Sequence, residues 1–287
     1  MTLEEYIRDP APEPSLSASV AHVLLTRSAA HAWLAHPRLN PAWAPEATEQ
    51  TEIGTLAHAL LLEQDDDSRV VVVEADDWRT KAAKLARDEA RAEGKLPVLA
   101  HKLAAVRAMV AVAHEAIAAS ELAETFATGR AEQTFLWLDG AAWCRCRPDL
   151  ISADRRVLVD YKTTGGSAEP DSWARVMMLQ MGYDVQAAFG LRAARVLHGV
   201  EADFVFVVQE TEPPYAVSFV GLAPAFQEFA EQKRRHALTL WRHCREREAW
   251  PGYPSRTCWA EPPGWALTQW DERRLMLTSG DGTVEEL

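Results

Sequence analysis

Two carboxylates and a lysine raise the first chemical question. In RPDLISADRRVLVDYKTT, residues 147–164, Asp149 follows a proline and Asp160 stands two places before Lys162. Residues two apart on a strand share a face, so Asp160 and Lys162 lie side by side while Val159 and Tyr161 face away. A short turn at 152–155 folds this strand against the one ending at Asp149, which lets the two carboxylates approach. Such a pair repels unless a cation lies between its members. Oxygen donors so arranged suit Mg²⁺, with water completing an octahedron. A bound Mg²⁺ lowers the pKa of its water and neutralises charge growing on a phosphate, and a nearby lysine can orient or deprotonate the nucleophile. The chemistry supported is phosphodiester hydrolysis. Lys162 is informative because the chain has 6 Lys against 24 Arg, and lysine shifts its pKa on desolvation whereas arginine stays protonated.

The tripeptide alone is weak. Acid-x-Lys recurs at Glu93-Gly94-Lys95 and Glu231-Gln232-Lys233, in helical surroundings that read as surface charge, and Pro-Asp recurs at Pro170-Asp171. Only the pair at 149 and 160 combines Pro-Asp, hairpin spacing and a β-branched approach strand, Val157-Leu158-Val159. Arg145 and Arg147, two apart and two before Asp149, share its face on strand spacing and could hold a phosphate. Cys144 and Cys146 then fall on the opposite, buried face as free thiols.

The elements that must position these residues follow from periodicity and punctuation. Residues 1–14, with three prolines, read as unstructured. Ser17 or Ser19 caps a helix through Leu25, and Ser28 caps a second that Pro37 helps end. Helical spacing of Ile53, Leu56, Ala57, Leu60 and Leu61 predicts a helix over 51–62. Helices at 77–93 and 98–119 follow, separated by Gly94 and Pro97. From Glu132 the period changes to strands at 133–138, 142–150 and 156–162, a meander of three antiparallel strands. A long helix over about 171–197 is expected next, then strands at 203–208 and 216–220 around Pro213-Pro214. A last helix covers 224–247. The tail, rich in Trp and Pro, reads as an irregular segment packing aromatics onto the body.

Composition sets the bounds. The 287 residues are 48% hydrophobic and 25% charged, with 11 Trp, the profile of a globular chain. The N-terminus lacks a basic region followed by an apolar run, and no apolar stretch reaches the length of a membrane span; a cytoplasmic protein without membrane contact is expected. Four scattered cysteines do not make a secreted disulfide scaffold. The net charge of −12 excludes nonspecific coating of nucleic acid. Charge is uneven, however: 79–107 and 233–247 are basic and 63–77 acidic, giving either a DNA face or ordinary solvated helix faces.

With these residues in view, the chain resembles the PD-(D/E)XK nuclease superfamily, and within it the phage-type RecE or exonuclease VIII group. Beyond the motif, SLSASVAHVLLTRSAAHAWLAH resembles that group's N-terminal helical entry, and GTLAHALLLE (54–63) its glycine-then-histidine helix. GYDVQAAF (182–189) resembles the helix after the motif, and WPGY (250–253) the C-terminal segment. The resemblance implies an α/β (α+β) fold with a restriction-endonuclease-like core, a central mixed sheet flanked by helices, and a helical N-terminal region. One domain over 15–287 is expected, with a helical part at 15–130, the nuclease core at 131–222, and the C-terminal helix and tail at 223–287.

The resemblance also implies roles. Asp149 and Asp160 match the metal carboxylates, Lys162 the catalytic lysine, and the Tyr161 carbonyl a backbone ligand. His58 matches a histidine ligand; without the resemblance, a histidine on a mostly apolar helix is more often a hydrogen-bonded core residue. Imidazole would admit Mn²⁺ beside Mg²⁺. Glu132 stands where the family often has an acid, although a solvent-facing strand residue is an equal reading. Gln186 and Tyr183 match the helix facing the site, and an amide amid Val185, Ala187, Ala188 and Phe189 needs a polar partner. Thr163 and Thr164 contact phosphate or simply end the strand. One departure is Gly190, where the family often has a tyrosine. No iron–sulfur cluster is expected, because Cys-x-Cys and Cys-x₁₃-Cys do not match its usual runs. His236 and His243 read as surface residues rather than a zinc site. The implied activity is a Mg²⁺-dependent exonuclease acting on duplex DNA ends in phage-type recombination, as a homo-oligomeric ring beside a single-strand annealing protein. The alternatives are a catalytically silent nuclease fold that binds DNA or serves assembly, and an endonuclease of the same superfamily.

Overall fold

The computed structural model describes residues 1–44, 49–62 and 70–279. In chain order the elements are α1 (Leu3–Ile7), β1 (Leu16–Ser17), α2 (Ala18–Thr26), α3 (Ala29–Ala35), α4 (Glu49–Leu62), β2 (Val70–Val73), α5 (Lys81–Ala92), β3 (Leu96–Leu99), α6 (Ala100–Ala118), α7 (Ala123–Thr128) and β4 (Arg130–Ala131). Then come β5 (Phe135–Asp139), β6 (Ala142–Cys146), β7 (Leu150–Ile151), β8 (Val157–Thr164), α8 (Pro170–Trp173), α9 (Tyr183–His198), β9 (Asp203–Glu210), β10 (Val217–Gly221), α10 (Pro224–Arg247) and α11 (Gly264–Ser279). Glu63 and the acidic run up to Arg69 lie outside the described residues. Among the described residues no helix is long and apolar enough to cross a membrane.

The central sheet has the order β10-β9-β8-β7-β4, with β8 and β9 parallel and the other pairs antiparallel. It is covered on both faces, which explains the apolar run of β9. On one face Leu158, Phe204, Phe206 and Val208 join a core with α2, α9 and α10. On the other, Leu150, Val159, Tyr161 and Val207 pack with α4 and α6. Strand β8 therefore alternates as its sequence predicts, with Asp160 on the α9 side and Tyr161 on the α4 side. This mixed α/β architecture is the expected fold class.

The expected meander is divided. β5 and β6 pair antiparallel in a separate sheet, β1-β6-β5, whereas β7 pairs with β8. The break falls at Arg147-Pro148-Asp149: proline offers no N–H to a ladder, and the Asp149 side chain accepts the Tyr161 N–H at 2.7 Å. Two other expectations also change. Residues 96–99 begin no helix but form β3, parallel to the valine run β2. The long helix over 171–197 is interrupted by a π-helical turn at Ala174–Met178 and by Gly182 at φ 72°.

The N-terminal residues are ordered, against expectation, because they carry their own polar anchors. A capping box between Thr2 and Glu5 starts α1. Asp9, fully buried at its carboxylate, receives the Ser15 hydroxyl at 2.6 Å and lies 3.2 Å from Arg145. Ser17 and Ser28 cap α2 and α3 as predicted. The chain forms two compact units, Met1–Pro251 and Gly252–Leu287, rather than one continuous domain to the C-terminus. In the first, Trp250 packs edge-on against Trp241 at 5.2 Å. The second contains the helix α11 where an irregular tail was expected.

Candidate metal centre

The site assembles from three elements of the first unit, β8, α9 and α4, and from the connecting residues Glu132 and Asp149. Strand β8 brings Asp160, 1% exposed, and Lys162 to one face, and the two form an ion pair. The first turns of α9 supply Gln186, whose amide donates to Asp160, and Tyr183, whose ring centroid lies 4.7 Å from the Lys162 ammonium. Tyr183 in turn stacks on Trp173 at 5.5 Å. The polar partner demanded by Gln186 is thus Asp160.

Asp149 is held by backbone. Besides accepting the Tyr161 N–H, it offers its own carbonyl to the Glu132 N–H at 2.9 Å. Glu132 adopts φ 57°, the left-handed region that non-glycine residues seldom occupy outside constrained sites. That turn sends its carboxylate toward His58. The His58 Nε2 lies 3.0 Å from an Asp149 oxygen and 3.1 Å from a Glu132 oxygen. Helix α4 can deliver His58 because Gly54, one turn earlier, sits against β8: a Cβ there would stand 3.2 Å from the Thr163 Oγ1. One donor atom from each of His58, Glu132 and Asp149 falls within 4.8 Å of the others.

The electrostatics describe a site that wants positive charge. Burial works against charge on His58, but the hydrogen bond and charge of Asp149, with Glu132 and Asp160 beyond, raise its pKa to about 9. An imidazolium proton therefore occupies the space between two carboxylates, where a cation would neutralise the same charge. Burial and the neighbouring Asp149 push Asp160 up to about 6 despite Lys162 and His58. Burial opposes the Lys162 charge as well, yet Asp160 and Asp149 hold its pKa above the ordinary lysine value. An imidazole and two carboxylates, with a third carboxylate beside them, are a donor set that fits Mg²⁺ or Mn²⁺.

Not every predicted residue reaches this centre. Arg145 is 4% exposed and is consumed by Ser15 and Asp9, so it is not available to a phosphate. The strand periodicity that placed it beside Asp149 stops when β6 ends at Cys146. Arg147 lines the cleft but donates to Glu132 and, at 2.6 Å, to Thr134; it positions an acid. Thr164 is buried, with its hydroxyl accepting the Gly166 N–H at 3.1 Å, and so ends the strand. Thr163 and Thr164 both line the cleft. The Tyr161 side chain points into the core, its hydroxyl donating to Gln209 at 2.5 Å. Glu132, expected among catalytic residues but not as a ligand, belongs to the compact donor group, whereas Asp160 does not. Tyrosine could not stand at 190: even a Cβ there would meet the Phe204 ring at 2.7 Å. Cys144 and Cys146 are buried free thiols, and His236 and His243 are exposed on α10.

His58, Glu132, Arg147, Asp149, Lys162, Thr163 and Tyr183 line one cleft of about 1150 Å³, together with Lys102 on α6, the loop Gly165-Gly166-Ser167, and Leu3 and Tyr6 of α1. Sequence reasoning missed these walls because none carries a chemical pattern of its own. It also missed Lys233, taken for surface charge, which pairs at 2.5 Å with the fully buried Asp184 behind the site.

The model of a PDDEXK-like domain of unknown function (DUF3799) matches residues 19–260. The chain belongs to this PDDEXK-like family. Pro148-Asp149 and Asp160-Tyr161-Lys162 lie within the matched residues. A crystal structure named "Putative exonuclease" from Eubacterium rectale aligns over 98% of this chain and 99% of that one, with a TM-score of 0.59 at 12% identity, a likeness of fold. The crystal structure of SSO0001 aligns over 68% of this chain and 87% of that one, at 10% identity and a TM-score of 0.27, too low to bear on the PDDEXK-like assignment. A search of curated proteins found no match.

Proposed function

We propose that this PDDEXK-like protein is a divalent-metal-dependent nuclease that hydrolyses phosphodiester bonds at duplex DNA ends, as an exonuclease of RecE-like type. The observation that carries this reading is the convergence of the His58, Glu132 and Asp149 donors in one cleft with Lys162, which pairs with the buried Asp160. His58, Glu132 and Asp149 would hold the ion, with the Asp160 carboxylate paired to Lys162 beside them. The metal supplies an activated water and a counter-charge for the phosphate. The protein's own groups do the rest. Lys162, kept cationic by its carboxylate neighbours, places an ammonium where a non-bridging phosphate oxygen gains charge. Gln186 fixes the Asp160 carboxylate so that it cannot rotate away from Lys162. Tyr183 covers the ammonium and shields it from water. Arg147 neutralises the second Glu132 oxygen and leaves the first directed at His58.

The remaining parts of the reading are a role in phage-type recombination, a ring of identical subunits and a strand-annealing partner. They rest on the sequence resemblance to the RecE-like group. The test compares wild type with Asp160→Ala and Lys162→Ala on linear and closed-circular duplexes, in Mg²⁺ and in EDTA. The exonuclease reading expects loss of linear DNA alone, only with metal, and no activity in either folded variant. Cleavage of the circle would make the protein an endonuclease with the same site. Absence of metal-dependent cleavage on any DNA or RNA would leave a silent nuclease fold.

A further inference from the structure

One wall of the cleft has a chemistry unlike the rest. Between Trp173 and Tyr183 the chain contributes Val176, Met177 and Met181 to the lining, and Val176 and Met181 are 46% and 52% exposed. This stretch is held in place: Trp173 and Met178, each 1% exposed, anchor it in the core. Its π-helical turn, Ala174–Met178, is a rare geometry that recurs at functional sites. Met181 lies two residues before Tyr183, whose ring covers Lys162, so the apolar wall is continuous with the proposed chemical centre. None of the three side chains offers a strong hydrogen-bonding group. The wall can therefore recognise a flat apolar face but not the edge pattern of a particular base.

We propose that Val176, Met177 and Met181 form a stacking subsite for the nucleobase adjacent to the phosphodiester held at His58, Glu132 and Asp149. The inference rests on the nuclease reading above and adds where the neighbouring base lies. Thioethers adapt to differently shaped partners, and every base presents a π-face, so contact here tolerates sequence. A charged or strongly polar ligand would gain nothing from this wall, whereas a nucleotide matches both halves of the cleft, with phosphate at the cations and base on the methionines.

The test measures binding by fluorescence anisotropy in Mg²⁺, with every protein carrying Lys162→Met so that ligand is not cut. The ligands are an oligothymidylate and an abasic deoxyribose-phosphate strand of equal length, about 20 nucleotides, enough to span one site. The subsite predicts that V176S/M181S weakens oligothymidylate binding about tenfold, leaves the abasic strand unaffected, and abolishes discrimination between them. Val72→Ser, an equally exposed valine on β2, should change neither. Equal weakening for both ligands, or none for either, overturns the subsite. So does a loss of self-association in V176S/M181S at unchanged affinity, which would assign the wall to a second copy of the chain. Parallel assays with Lys162 intact separate the two readings. Cleavage by wild type with no effect of V176S/M181S defeats only the subsite, and a wild type that neither binds nor cuts defeats both.

Discussion

Lys162 occupies a position that few lysines tolerate. It stands in the site wall with its side chain 20% exposed, opposite a carboxylate with 2% exposure, and its charge survives because Asp160 and Asp149 outweigh desolvation. Lys162→Met should reduce hydrolysis by about a hundredfold or more while metal affinity, read by calorimetry, stays within a few fold. A parallel loss of metal binding would make Lys162 part of the scaffold of the donor group instead. The same charges set a pH dependence for the metal-free protein. His58 has its folded pKa raised from 6.5 to about 9, so its contribution to stability is full below 6.5 and is lost as pH rises through 9. Asp160 is raised from 3.8 to about 6; the folded state holds a proton that the unfolded chain releases, and stability again falls as pH rises from about 4 to 6. Metal binding must displace the His58 proton. Thermal melts should therefore show a Mg²⁺-induced increase in Tm that grows between pH 6 and 9, and His58→Gln should flatten the trend. An increment that shrinks with pH would remove His58 from the ligand set.

At the scale of elements, the start of α9 decides whether Tyr183 and Gln186 meet the residues they serve. Gly182 takes φ 72°, and a Cβ there would stand 2.4 Å from the His22 Nδ1. Gly182→Ala therefore combines backbone strain with a clash, and chemical denaturation should show a loss of at least about 1–3 kcal/mol. Asp184, 0% exposed, is neutralised by Lys233 from α10. Lys233→Met strands that buried carboxylate, at a cost of about 3–5 kcal/mol; a loss under 1 kcal/mol would mean that Asp184 finds another partner. These joints explain what the sequence could and could not disclose. Strand β8 was legible because its period-2 alternation coincides with its chemistry: Leu158 and Val159 go to opposite cores, and Lys162 reaches the cleft from the same face as Asp160. Helix α10 was legible from its proline start and long amphipathic run, and α2 and α3 from their serine caps. The broken helix before α9 was not, since Ala, Val and Met suit an α-helix as well as a π-turn and only tertiary packing selects between them. Arg145 was misjudged for a related reason. Its partners Asp9 and Ser15 lie more than 120 residues away, beyond the reach of local pattern.

Across the whole molecule, the charge of −12 poses the question of how such a protein would hold a polyanion. The two basic runs are partly neutralised by acids of the same chain. In the first, Arg79, Arg87 and Lys95 pair with Asp77, Asp88 and Glu93. In the second, Lys233 pairs with Asp184, Arg234 with Asp139 and Glu231, Arg235 with Glu231, Arg242 with Glu246 and Arg245 with Glu13. Within the cleft, positive charge stands at Lys162 and Lys102, and an ion held by the carboxylates would add to it. Each phosphate neutralised on duplex DNA contributes roughly −0.9 to the slope of log Kobs against log salt. With Lys162 and Lys102 as the principal protein contacts, the slope for duplex-end binding in Mg²⁺ should lie near −2, and Lys102→Ala should make it shallower by about one unit. Chelating the metal should weaken binding at moderate salt, because the carboxylates then face the phosphate without the ion that would offset them. A slope of about −6 or steeper would require an extended basic track beyond the two cleft lysines. It would point to a channel assembled from several copies, as the RecE-like resemblance implies, and sedimentation at the same salt concentrations would then show the oligomer.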